Sequence, residues 1–168
     1  MRILGVDPGS RLTGYGCVDV KMRNQIQHIC HGTLHLASTN GKATVLLEDR
    51  LFLLFEGLSS LIREYQPQIM VVEKVFFAKN AVSALKLGQA RGAVLLTGKI
   101  HSLTLAEYSA TEVKHSITGY GRADKEQVAK MVKILIGQHE FSTSDASDGL
   151  ALAICHAFRM RTLQGGAL

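Results

Sequence analysis

The chain has 168 residues, of which 46% are hydrophobic, with 19 Lys and Arg against 14 Asp and Glu. This length is typical of one domain, and such a chain can bury roughly 70% of its unfolded surface, which excludes intrinsic disorder. The net charge of +5 favours an anionic partner, although charge alone does not specify a fold.

The chain opens with strand-like segments and continues as alternating strands and helices. Short apolar or alternating runs between turn formers predict strands at 2–6, 12–20, 25–36, 69–72 and 103–108. Apolar residues at helical spacing predict helices at 43–65, 80–99, 110–118, 124–136 and 145–162. The pattern predicts a single α/β domain over 1–162, with a five-stranded mixed sheet flanked by helices, and a short C-terminal tail over 163–168.

Four acidic residues lie at the predicted ends of these elements. Asp7 follows the first strand, Glu73 follows the fourth, and Asp145 and Asp148 begin the last helix, three residues apart. Each has an ordinary alternative, as a strand end that reaches water or as a charge in a first helical turn. Gathered together, they would repel one another unless cations neutralised them. Carboxylate oxygens favour Mg²⁺ or Mn²⁺, so the four are candidate metal ligands and catalytic residues for phosphodiester hydrolysis.

Basic residues surround the predicted loop between the third and fourth helices. Lys125 lies in the first turn of a predicted helix, where the helix dipole disfavours a cation, so a bound phosphate would explain its position. Lys114 and Arg122 flank the same glycine-bearing loop. The alternative is that these are solubilising residues on a solvated face.

Two adjacent phenylalanines follow Glu73. Because Phe76 and Phe77 cannot easily both face the core from a short connection, one is a candidate for stacking on a base or wedging into a distorted duplex. Core packing is the alternative for either ring. Lys79 and Lys86 share a face of the helix that follows.

The spacing of the cysteines and histidines does not indicate a metal site. The chain has three cysteines without C-x-x-C spacing, Cys17, Cys30 and Cys155. They give neither a disulfide framework nor a cysteine-rich zinc site, and they fit a reducing compartment. In an extended strand His28 and Cys30 share one face while His31 points to the other. Without a recognisable signal peptide or membrane span, a cytoplasmic protein is expected.

Four segments together resemble the RuvC family of crossover-junction endodeoxyribonucleases, which resolve Holliday junctions in DNA recombination and repair. The segments are Ile3–Gly16, Glu73–Asn80, Ala84–Gly92 and Asp145–Asp148. The resemblance runs from Ile3 to about Phe158, and the four segments are specific as a set although the first alone is not.

This resemblance implies an RNase H-like fold and a homodimer that nicks two strands of like polarity symmetrically across a four-way junction. It implies two Mg²⁺ ions per site, replaceable by Mn²⁺, held by the residues matching Asp7, Glu73, Asp145 and Asp148. It further implies products with 5′-phosphate and 3′-hydroxyl ends, and RuvA and RuvB branch-migration proteins as partners.

Individual positions carry further expectations. The family's junction-contacting aromatic falls on Phe76, and its functional lysines fall on Lys114 and Lys125. The predicted DNA contacts are Phe76, Phe77, Lys79, Lys86, Arg91, Lys114, Arg122 and Lys125. Gly149 stands where family members usually have alanine, which costs about 1 kcal/mol of helix stability.

Two other functions fit parts of the pattern. The Asp7–Ser10 turn resembles the phosphate loop of an actin-like kinase or ATPase, but such enzymes need a second domain and a second loop that this length does not allow. A non-catalytic module for branched DNA explains the basic residues but not four acids beside a polyanion, which would weaken binding. A nuclease is therefore the favoured function.

Overall fold

A computed structural model describes residues 1–21, 25–37, 45–74, 80–137 and 144–165. The strands are β1 (Arg2–Asp7), β2 (Leu12–Val20), β3 (Ile26–His35), β4 (Ile69–Lys74) and β5 (Thr104–Ser109). The helices are α1 (Leu47–Tyr65), α2 (Ala81–Ile100), α3 (Ala110–Thr118), α4 (Lys125–Ile136) and α5 (Ser144–Gly165). Within these described ranges, no helix is long and apolar enough to cross a membrane.

All ten predicted elements are present, with small shifts at their ends. Helix α1 begins at Leu47 and not at residue 43, and residues 43 and 44 lie outside the described ranges. Helix α5 continues to Gly165, past the predicted start of the tail at 163, because no helix breaker precedes that glycine.

The strands form one five-stranded mixed sheet in the order β3-β2-β1-β4-β5. The first three strands form an antiparallel meander, whereas β4 runs parallel to both β1 and β5. The predicted five-stranded α/β architecture is confirmed. Because the neighbouring parallel strands β1 and β4 end at the same edge, the fold places Asp7 and Glu73 next to each other.

Each face of the sheet is covered by its own hydrophobic cluster. Ile3 and Val71 pack with residues of α3, α4 and α5 on one face. Leu4 and Met70 pack with residues of α1 and α2 on the other. The two central strands are therefore buried on both sides, which explains why 69–72 is a continuous apolar run.

A β-bulge in β3 changes the face of the sheet on which its histidines were predicted to lie. The β2–β3 register shifts so that Val18 lies opposite His28 and Cys17 lies opposite Cys30, which leaves Ile29 as an extra residue in β3. The extra residue interrupts the alternation of side chains. His28 Nε2 and His31 Nδ1 consequently lie 2.8 Å apart, and the prediction that they point to opposite faces was wrong.

An ion pair joins the first two strands near the far end of the sheet. Arg2 Nη2 donates to Asp19 Oδ2 at 2.9 Å and Arg2 Nε donates to Asp19 Oδ1 at 3.2 Å. The Asp19 side chain is only 10% exposed, and the hydrogen bonds from Arg2 lower the pKa of its carboxyl. The carboxylate therefore stabilises the fold above its unfolded pKa of about 3.9 and loses that contribution as pH falls through the lowered folded pKa.

We expect Asp19→Asn to reduce the free energy of unfolding by about 2 kcal/mol at pH 7, because a charged hydrogen-bonded pair is lost. Urea unfolding of both proteins from pH 7 to pH 2 is the measurement. The difference should shrink below about pH 4, where protonation removes the same charge from the parent. Asp49→Asn, in the first turn of α1, is the control and should change stability by only a few tenths of a kcal/mol. A difference that stays constant down to pH 2 would contradict this account.

Candidate active site

Three aspartates meet at the edge of the sheet where β1 ends. Asp7 is the last residue of β1, and Asp145 and Asp148 lie in the first two turns of α5. One carboxylate oxygen from each residue lies within 4.8 Å of the other two. Their spacing of three residues puts Asp145 and Asp148 on one helix face, so both can point toward Asp7. The structure thus brings three of the four predicted carboxylates into one group.

Glu73 lies beside this group, near the end of β4. It shares a cavity of about 220 Å³ with Asp7, Asp148, Lys114 and Lys125. A hydrogen bond between the Asp7 and Glu73 carboxyl groups contributes to a raised pKa of Asp7. The rest of the cavity lining is apolar, from Ala110, Val113, Val128, Ala151 and Leu152. The carboxylates are therefore set against a low-dielectric wall.

Burial and mutual repulsion change the acidity of this cluster. The pKa of Asp7 is raised to about 8, because the residue is buried and because Glu73 and Asp148 are close. Burial also raises the pKa of Glu73, although Lys125 and Lys114 act in the opposite direction. Without a cation the site holds a proton that a divalent ion would replace. An all-carboxylate donor set of this kind fits a hard ion such as Mg²⁺.

Two lysines form the basic side of the cavity. Lys125 Nζ donates to Asp148 Oδ2 at 3.0 Å, and this hydrogen bond raises the pKa of Lys125. Lys125 is the first residue of α4, which the side chain of Asp124 caps. The ion pair with Asp148 is a second explanation, besides phosphate, for a cation at this helix start. Lys114 reaches the same cavity from α3.

Four glycines allow the start of α5 to lie directly on the sheet. We call them the glycine seat: Gly5 on β1, Gly14 and Gly16 on β2, and Gly149 on α5. A β-carbon at Gly14 would lie 1.9 Å from the carbonyl oxygen of Asp145, and one at Gly149 would lie 2.6 Å from Cα of Tyr15. Any side chain here would push α5 away from β2, and Asp145 and Asp148 would move with it.

The glycine seat was missed at the level of sequence. Gly149 was interpreted only as a weak helix residue, whereas the structure gives it a packing role. Gly14 and Gly16 alternate on a buried strand and so share one face, which is the pattern expected where another backbone approaches closely. That spacing was the available signal.

Gly14→Ala is therefore expected to lower both stability and activity. The added methyl group would meet the carbonyl oxygen of Asp145, which cannot turn aside, so we expect a loss of about 2 kcal/mol in the free energy of unfolding. We also expect cleavage of DNA to slow by about tenfold, since displacement of catalytic groups by a fraction of an ångström is costly. Urea unfolding and a magnesium titration of the cleavage rate are the measurements. Parental values in both would show that the seat does not set the position of the carboxylates.

The remaining predicted DNA contacts either do not line the cavity or fall outside the described residues. Lys86 on α2 and Arg122 in the loop before α4 are exposed. Arg91 forms an ion pair with Glu107 of β5, so its guanidinium already has a partner within the chain. The predicted contacts outside the described residues are Phe76, Phe77 and Lys79.

Comparisons with known proteins give a consistent result at the level of sequence. The profile of the family described as "Crossover junction endodeoxyribonuclease RuvC" matches residues 3–156. The protein of that name from Geobacter sulfurreducens is 50% identical over 157 residues, covering 94% of this chain and 92% of the relative. The protein of the same name from Geobacter metallireducens is 51% identical to this chain, with the same coverage of both.

Solved structures extend the likeness to three dimensions. The structure of T. thermophilus RuvC in complex with a Holliday junction substrate matches with a TM-score of 0.86 and 29% identity, covering 96% of both chains. The yeast mitochondrial Holliday junction resolvase matches with a TM-score of 0.69 at 13% identity, covering 97% of this chain and 82% of the resolvase. The second match shows a shared fold alone.

Proposed function

Because this chain belongs to the RuvC family of crossover junction endodeoxyribonucleases, we propose that it resolves four-way DNA junctions by metal-dependent phosphodiester hydrolysis in recombination and repair. The observation that carries this proposal is the group formed by Asp7, Asp145 and Asp148, beside a cavity that Asp7 and Asp148 line together with Lys114 and Lys125. Acidic metal ligands beside cationic side chains suit the cleavage of a polyanion better than its simple binding.

The donor set supports Mg²⁺ as the ion, with two ions per site and Mn²⁺ as a substitute. Asp7, Glu73, Asp145 and Asp148 would hold them. When bound, these ions supply Lewis acidity, which favours ionisation of an attacking water and stabilises charge on the leaving oxygen. The products of this reaction carry 5′-phosphate and 3′-hydroxyl ends.

The lysines and the apolar wall act on the phosphate itself. Lys114 and Lys125 lie on the side of the cavity provided by α3 and α4, where they contact the non-bridging oxygens of the scissile phosphate. Charge on those oxygens grows as the transition state forms, so fixed cations lower the barrier more than they improve binding. The apolar lining from Val113, Val128 and Leu152 reduces screening by water on the inner side of the cavity.

An exposed apolar face of α2 supports a homodimer. Its large side chains are between 57% and 65% exposed and recur along the helix: Val82, Leu85, Leu96 and Ile100. Among the described residues, no atom lies within 4 Å of a β-carbon built at Gly88 or Gly92, so a second helix can approach closely there. Two strands must be cut to resolve a junction, and a two-fold symmetric dimer supplies two sites.

The DNA contacts beyond the cavity extend this proposal. Phe76 or Phe77 wedges into the junction from the segment that directly follows Glu73 and Lys74 of β4, which supports a position next to the cutting site. Lys79, Lys86 and Arg122 contact the phosphates of the arms. RuvA and RuvB deliver the junction. A DNA substrate and three free cysteines favour a cytoplasmic location.

A synthetic four-way junction tests the proposal directly. Incubation with Mg²⁺ should give paired nicks at symmetry-related positions in two strands of like polarity, and a linear duplex of the same sequence should stay intact. Reactions with EDTA or with Mn²⁺ test the metal requirement. A junction left uncut in both Mg²⁺ and Mn²⁺, or a duplex cut equally fast, would rule out a metal-dependent junction resolvase.

A further inference from the structure

Two cysteines lie directly opposite each other on neighbouring strands. Cys17 of β2 pairs with Cys30 of β3 in the antiparallel register, beside the β-bulge. Both pack in the hydrophobic cluster between the sheet and α1, where Cys17 is fully buried and Cys30 is partly exposed. Opposed residues in an antiparallel pair have Cα atoms roughly 4.5–5.5 Å apart. This separation lies inside the range of roughly 4.4–6.8 Å that disulfides require, so the backbone need not move.

The two thiols lie on the same face of neighbouring strands and differ in character. The Cys17 thiol donates a hydrogen bond to Cys30, which together with burial raises the pKa of Cys17. The same hydrogen bond lowers the pKa of Cys30, to which the Tyr65 hydroxyl also donates. Cys30 is thus the more acidic and the more accessible thiol, and the buried Cys17 is its immediate neighbour. This is the arrangement of an attacking cysteine beside a resolving one.

We propose that Cys17 and Cys30 form a reversible intramolecular disulfide when the protein meets a peroxide. The Cys30 thiolate attacks one oxygen of hydrogen peroxide, the O–O bond breaks, and Cys30 becomes a sulfenic acid as the departing hydroxide takes a proton to form water. The Cys17 sulfur then attacks the Cys30 sulfur, the S–S bond forms, and a second water leaves. Two thiols lose two electrons in total and one peroxide is reduced to two waters. A dithiol reverses the reaction by exchange.

The third cysteine lies on the opposite face of the sheet. Cys155 belongs to the cluster between the sheet and the helices α3, α4 and α5. Its Sγ points to the carbonyl oxygen of Glu112, at 4.0 Å. The sheet therefore separates Cys155 from both Cys17 and Cys30. Of the three pairings that three cysteines allow, the folded protein should form only the one between Cys17 and Cys30.

The disulfide would cross-link β2, the strand that contains two of the four glycines of the glycine seat. Gly14 and Gly16 precede Cys17 on β2, and the ring closed by the bond runs from Cys17 to Cys30 through the hairpin. No carboxylate of the active site lies in that ring. We therefore expect the bond to protect the thiols from further oxidation and to stabilise the fold, independently of the chemistry proposed for the cavity.

Peptide mapping identifies the bond. Native protein is treated with hydrogen peroxide, blocked with an alkylating reagent and digested with trypsin without reduction. Cleavage at Lys21 and Arg23 separates Cys17 from Cys30, so a linked pair of peptides reveals the bond by mass. We expect this single crosslink at monomer mobility, reversed by dithiothreitol, with Cys155 still alkylated. A loop of this size should also raise Tm by about 5 °C or more.

Variants distinguish this bond from other oxidation products. Cys155→Ala keeps both partners and should give the same crosslink and the same Tm shift, whereas Cys30→Ser should give neither. Protein unfolded in urea before oxidation is the reference in which other pairings appear. Crosslinks that involve Cys155 in the native protein, crosslinks between chains, or a sulfinic acid at Cys30 beside a free Cys17 would each overturn the proposal.

Discussion

Asp7→Asn should reduce junction cleavage by at least about 10³-fold while the protein still binds the junction. Asp7 is the member of the carboxylate group that contacts Glu73 and also lies within 4.8 Å of both Asp145 and Asp148. Asparagine keeps the shape of the side chain but removes a charged ligand, and several kcal/mol of transition-state stabilisation should be lost with it. Binding should persist, because removal of an acid next to a polyanion does not weaken attraction.

Stability distinguishes loss of chemistry from loss of the fold in this variant. The raised pKa of Asp7 means that the buried carboxylate is unfavourable in the folded protein without a cation. The Tm of Asp7→Asn without metal should therefore equal or exceed that of the parent. Single-turnover cleavage and fluorescence anisotropy with a labelled junction give rate and affinity, and Asp49→Asn, at an exposed position in the first turn of α1, is the control. A rate within tenfold of the parent would remove Asp7 from the catalytic group.

Lys125→Ala should slow cleavage by about 10²-fold and weaken junction binding by less than about threefold. The amino group of Lys125 lies 3.0 Å from Asp148, next to the carboxylate group, where it can stabilise charge that grows in the transition state. Such an interaction affects the rate more than the affinity. A surface lysine that contacts ground-state phosphate would do the reverse.

Lys130→Ala is the matched control for this prediction. Lys130 is an exposed lysine on the same helix, so the variant removes an equal charge at a distance from the cavity. Comparison of the two variants across salt concentrations separates a general attraction to DNA from an effect at the scissile phosphate. Equal losses of rate and affinity in Lys125→Ala would make Lys125 a phosphate anchor only.

Local patterns in the sequence predicted the elements and the position of the carboxylates. Helical spacing predicted α3 and α4, and in the structure a capping box forms at the start of each, at Ser109 and at Asp124. The convergence of Asp7 and Glu73 followed because parallel neighbouring strands end at one edge of a sheet. These features depend on residues close in sequence or on general rules of topology, which a single chain reveals.

Features that depend on contacts between distant residues could not be predicted. The ion pair of Lys125 with Asp148 joins the start of α4 to α5, and the contact of Gly149 with Tyr15 joins α5 to β2. The extra residue Ile29, which moves His28 beside His31, follows from the pairing of two strands and leaves no trace in periodicity. Hydrophobic pattern specifies which face is buried but not which atoms meet across the interface.

The glycine seat has a consequence for how the protein tolerates mutation. Gly5, Gly14 and Gly16 supply no side chain to the reaction, yet each lies so close to the backbone of α5 that a β-carbon there would clash with it. Substitutions that impair activity are therefore expected at these positions of the sheet as well as at the residues that carry the chemistry. In a library of single variants, some of the impaired positions around this site would be ones at which the parent residue has no functional group at all.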